Sequence, residues 1–129
     1  MKKSVFLFLV LIIQSSLSFA QTQQKDALVL YHNGKYRESI QVCEDELKEN
    51  PNRIESYVVM CWSLVKNKQY AEAEQRATEG LVLSPYDYRL IEVLGEARYY
   101  LGKNTGAMEQ FQKYVAGADS GSRVGSAYY

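Results

Sequence analysis

Histidine, tryptophan, cysteine and proline are all scarce in this chain of 129 residues, at one, one, two and two. The lone histidine, His32, has no serine or cysteine partner at a recognisable spacing and no clustered ligands beside it. Nucleophilic catalysis and zinc chemistry both find little footing there. The carboxylate pairs Glu44/Glu46 and Glu72/Glu74 stand two apart, where helical side chains diverge instead of sharing a proton. Phosphate loops, dinucleotide fingerprints and metal motifs are missing from the sequence. An excess of charge is missing too, with fifteen basic against fifteen acidic residues, so no global field points to nucleic acid or an anionic membrane. No enzyme activity, cofactor, metal or nucleic-acid partner is expected. With only two prolines, long stretches are free to be helical.

What is present begins with an amino terminus that stands apart. Lys2 and Lys3 precede an unbroken apolar run from Val5 to Ile13, then Gln14, Ser15, Ser16 and Ser18 turn polar. Ser18-Phe19-Ala20 offers a small-residue cleavage site, so residues 1–20 read as a signal peptide, a retained anchor being the alternative. The run is short for a bilayer span, which takes roughly 20 apolar residues. Cleavage leaves thirteen basic against fifteen acidic residues. The expected mature protein is periplasmic or secreted, without stable membrane insertion.

From residue 21 onward the chain repeats itself. The step from Pro51 to Pro85 also lays Tyr36 on Tyr70, Ser39 on Ala73 and Ala107, and Leu47 on Leu81 and Val115. Gly34, Lys68 and Gly102 coincide at a turn. A first helix is expected over 21–33 and a second over 36–49, the latter with Tyr36, Ile40, Cys43 and Leu47 as one apolar stripe. Tyr57, Met60, Cys61 and Leu64 form the stripe of the next helix. Tyr70, Ala73, Ala77, Gly80 and Leu81 face inward on its partner, and their small members allow close helix approach. Ile91, Leu94, Gly95 and Leu101, then Ala107, Phe111, Tyr114 and Val115, supply the third pair. After it, Gly117 to Ser126 is rich in glycine and serine and reads as a flexible connection.

A 34-residue period with a helix pair per unit resembles the tetratricopeptide repeat, whose pattern runs W-x2-L-G-x2-Y, A-x3-F, P. The third unit is the most similar, with Leu94-Gly95 and Ala107-x3-Phe111 in register, Ile91 at the tryptophan place and Arg98 departing from tyrosine. The second offers Tyr57-x2-Met60-Cys61-x2-Leu64, Ala73-x3-Ala77 and Pro85. The first is degenerate, with Ala27-x2-Leu30, Ser39-x3-Cys43 and Pro51. The resemblance implies an all-α, right-handed α-solenoid of about three helix-turn-helix repeats over 21–53, 54–87 and 88–119. Residues 120–129 are then a flexible tail or the opening of a further repeat, Ala127-Tyr128-Tyr129 being similar to Arg98-Tyr99-Tyr100. On that reading the chain is a piece of a longer array.

In that family the first helices line a concave face that binds peptides. The resemblance places Leu28 and Tyr31 of the first unit there, Val58, Trp62 and Lys66 of the second, and Arg89, Glu92, Glu96 and Tyr99 of the third. Trp62 either presents itself to the groove or packs on a neighbouring first helix. The family's lysine-and-asparagine clamp for a chaperone tail is not matched, since Gln24, Leu28 and Trp62 stand at its places. The expected function is non-catalytic binding of a protein or peptide segment in the cell envelope. Self-association through an open carboxy-terminal end and attachment to peptidoglycan through tyrosines are the alternatives. Cys43 and Cys61 fall on facing stripes, as a disulfide between the first two units or, the favoured reading, as two buried thiols.

Overall fold

A computed structural model describes residues 25–117. The expected signal peptide at 1–20, the opening of the first expected helix at 21–24 and the expected tail at 120–129 lie outside the described residues. Among the described residues the architecture is all-α: α1 (Ala27–His32), α2 (Tyr36–Glu49), α3 (Ile54–Lys66), α4 (Tyr70–Leu83), α5 (Tyr88–Tyr100) and α6 (Asn104–Gly117). Consecutive helices pack on one another, and α3 also packs on both α1 and α5. The first helices of the three pairs therefore lie side by side as one wall.

The turn within each pair is the same device used three times. Gly34, Lys68 and Gly102 take positive φ of 74°, 62° and 75°. Each turn residue donates its N–H three residues back, and the next residue donates five back: Lys35 to Leu30, Gln69 to Leu64, Lys103 to Arg98. This left-handed helix stop suits glycine, and Lys68 holds it against its own Cβ. At the other end, Asp26 stops α1 from beginning earlier than Ala27. Its backbone is extended, and its carboxylate accepts from the N–H groups of Leu28 (2.9 Å) and Val29 (3.2 Å). The helix expected from residue 21 is thus interrupted by an N-cap that the sequence displays and the apolar pattern obscured.

The core follows the stripes. Ser39, Ala73 and Ala107, one per repeat, are all buried, as are Cys43, Met60, Cys61, Leu64, Ala77 and Leu90. Small residues sit where helices come closest. A Cβ on Gly80 would lie 2.7 Å from Leu90 Cδ1 and 3.2 Å from Tyr57 Cβ, and one on Gly95 would lie 2.8 Å from the Phe111 ring. At that packing density an added methyl has no room.

Polar groups tie the repeats together. Ser63 donates to Ser39 Oγ at 2.9 Å, and Ser39 donates to the Ala27 carbonyl at 2.7 Å, all three inside the core. Ser56 Oγ donates to Glu46. Glu44 and Glu46 reach towards Arg76 and Arg53 respectively, each at 3.9 Å. Glu74 receives both Arg98 (3.1 Å) and Lys103 (2.6 Å), so its carboxyl is held below the usual range, chiefly by the Lys103 hydrogen bond.

Candidate functional site: a groove across three first helices

The wall of first helices encloses a hollow of about 450 Å³. It is lined by Leu28, Tyr31 and His32 of α1, Trp62, Val65 and Lys66 of α3, and Glu92, Val93 and Glu96 of α5. On α1 and α3 these residues recur at i, i+3 and i+4, which brings them onto one helix face. Leu28, Trp62 and Glu96 are equivalent positions, each one repeat step from the next. The repeat therefore delivers an apolar, an aromatic and an acidic side chain to the same hollow.

Trp62 is half-buried, its ring centroid 5.8 Å from that of Tyr31 on α1. Tyr31 in turn touches His32 (5.3 Å) and Tyr36 (5.8 Å). Both readings of the tryptophan hold together: one part of the indole packs on a neighbouring first helix, and the rest faces the hollow. Such an arrangement fixes the ring's orientation while leaving apolar surface for a visitor. Glu96 is half-buried, and burial pushes its carboxyl above the ordinary range, with the Lys66 charge pulling the other way.

Six of the nine groove residues expected from the sequence come together here: Leu28, Tyr31, Trp62, Lys66, Glu92 and Glu96. Three do not. Val58 is fully buried. It sits on the central first helix, which is covered by α1 on one side and α5 on the other, so its side chain belongs to the core. Arg89 is held elsewhere: its guanidinium grips Asp87 through Nε (3.1 Å) and Nη2 (2.7 Å) and reaches Glu55 at 2.9–3.0 Å. Glu55 and Arg89 are 34 residues apart, so this contact is a strut between neighbouring repeats. Tyr99 is 61% exposed, edge-on to Tyr100 at 5.5 Å, and lies beyond the hollow because no first helix follows α5 among the described residues. Tyr100 stacks on Tyr70 at 4.5 Å and 13°.

The sequence reading assigned Val93 no place in the groove. Val93 lies next to Glu92 on the edge of the stripe, where only packing decides which way it turns. Cys43 and Cys61 are free and buried, so the disulfide reading gives way to the favoured one. Burial pushes the Cys43 thiol up to about 12, and raises Cys61 as well. Neither is a poised thiolate. Among the described residues no three His, Cys, Asp or Glu side chains gather as a metal site, and no helix is long and apolar enough to cross a membrane.

No family model matches the chain, and no curated protein does. Solved structures do. The second tetratricopeptide domain of human RPAP3, in complex with an HSP70 peptide, superposes with a TM-score of 0.73 at 19% identity, over 78% of this chain and 84% of that one. PcrH in complex with the chaperone-binding region of PopD gives 0.71 at 16% identity, over 78% and 76%. MamA from Desulfovibrio magneticus, solved from residue 41 to its end, gives 0.66 at 27% identity, over 70% of this chain and 51% of that one, so the match spans about half of that solved chain. With three stacked helix pairs, three equivalent turns in one register and these likenesses, the chain has the tetratricopeptide-repeat fold.

Proposed function

We propose that this protein is a non-catalytic interaction module that binds a polypeptide segment along its groove, and that it works in a bacterial cell envelope after removal of residues 1–20. The observation that carries the reading is Trp62, half-exposed on the wall of a hollow to which all three first helices contribute. A fixed aromatic ring beside open apolar surface is the usual form of a binding anchor. Proteins of the same fold, RPAP3 and PcrH, hold an HSP70 peptide and a region of PopD. That supports a polypeptide occupant, while Leu28 and Trp62 at the clamp places argue against an acidic chaperone tail. The leader-like composition of residues 1–20 supports export.

The reading is tested by crosslinking capture from the cell envelope with wild-type protein and Trp62→Ala in parallel. The expected result is one polypeptide captured by wild type and lost with Trp62→Ala at unchanged helicity. Capture that ignores Trp62 would overturn the groove assignment.

A further inference from the structure

We propose that the segment bound in this groove carries a lysine or arginine, seated with its cation against Glu96 and its apolar neighbours against Trp62 and Leu28. The inference rests on the groove reading above and adds the chemistry of the occupant.

The geometry begins with register. Glu96 takes on α5 the place that Leu28 and Trp62 take on α1 and α3, so its carboxylate enters the hollow that they line. Glu92 stands one turn earlier on the same wall. A half-buried carboxylate is costly unless a partner meets it. Among the described residues Glu96 forms no salt bridge. Lys66 lines the hollow too, yet it is an exposed side chain outside ion-pairing distance of Glu96.

Two further features favour a cation. The rings of Tyr31 and Trp62 face the same hollow, and aromatic faces attract ammonium and guanidinium groups. Burial already raises the Glu96 carboxyl, the behaviour of a site in which a positive visitor would strengthen the ionised form. An acidic segment would instead meet the Glu96 carboxylate in the same hollow, a like-charge clash that disfavours it.

The test selects binders of the purified protein from a displayed library of random short peptides. The groove's lone tryptophan reports occupancy by its fluorescence. Selected sequences should be enriched in lysine or arginine beside an aliphatic or aromatic residue, and should fail to bind Trp62→Ala. Replacing the basic residue of one such synthetic peptide by glutamine should weaken binding to the wild type about tenfold, and added salt should narrow the gap. Glu96→Gln, which removes a charge that burial disfavours and so leaves the fold intact, should bind both peptides alike. Binders that need Trp62 but show no basic preference would overturn this inference and leave the groove standing. A library that yields no binder dependent on Trp62 would overturn both.

Discussion

The two junctions between repeats use one backbone geometry and opposite chemistry. Where α2 meets α3, the equivalent inner positions are Ser39 and Ser63, hydrogen-bonded inside the core, beside buried Ile40 and Leu64. Where α4 meets α5, one repeat later, the serines become Ala73 and Ala97, both fully buried, and Ile40 and Leu64 become Glu74 and Arg98. The polar pair has moved one residue along each helix, from the core to its rim. Each junction sets its register with polar contacts of its own, Ser56 to Glu46 joining the serine pair at the first and Lys103 joining Arg98 on Glu74 at the second, and the rest is apolar filling. A neutral buried hydrogen bond is short-ranged and indifferent to salt, whereas a rim ion pair is screened. The first junction should therefore be the more robust to ionic strength and the second the more tunable.

The sharpest way to break the symmetry is Gly80→Val. Gly80 meets Leu90 and Tyr57 too closely for any side chain, so the second junction should lose about 3 kcal/mol in denaturant titration. Its equivalent in the first junction, Glu46, points at Ser56 and Arg53 and should tolerate the same change at smaller cost.

Ser39→Ala comes next. It strands the buried Ser63 hydroxyl and should cost about 1–2 kcal/mol, without dependence on salt. Ser39→Ala with Ser63→Ala copies the alanine pair of the second junction and should recover part of that loss, because the stranded Ser63 hydroxyl is then removed while the Ala27 carbonyl still lacks the Ser39 donor. A double mutant no more stable than Ser39→Ala would refute the claim that Ser63 is valued only through its bond to Ser39.

Lys68→Gly should stabilise by about 0.5–1 kcal/mol in thermal melts, since glycine adopts the φ of 62° without steric cost and its counterparts Gly34 and Gly102 already do. The smallest effect belongs to Lys103→Gln, about 0.5 kcal/mol at low salt and nothing measurable in molar salt. Its pH dependence has a fixed sign. Glu74 titrates lower in the folded protein, first because of Lys103, so its contribution is present above the unfolded carboxylate's pKa and is lost as pH falls through the folded one. Wild type and Lys103→Gln should converge in acid.

The repeat period, the three turns and the small residues at close approaches were all legible, because each is a local demand written at fixed spacing. Gly34, Lys68 and Gly102 coincide whether or not the packing around them is known. Most of the groove was legible for the same reason, since Leu28, Trp62 and Glu96 share a register position. Val58, Arg89 and Tyr99 were not, because register treats each repeat alike and burial does not. Val58 is covered from both sides, Arg89 finds acids on its own cap and on the preceding repeat, and Tyr99 has no first helix across from it among the described residues. Asp26 was legible in principle as an N-cap, yet the apolar run behind it suggested a longer helix.

The central claim is that ligands enter the hollow beside Trp62, and the most direct measurement is a fluorescence titration of the single tryptophan with a selected peptide. The account predicts a saturable change in Trp62 emission whose midpoint matches the affinity measured calorimetrically. Saturable binding in the calorimeter with unchanged tryptophan emission would place the site elsewhere on the protein and contradict it.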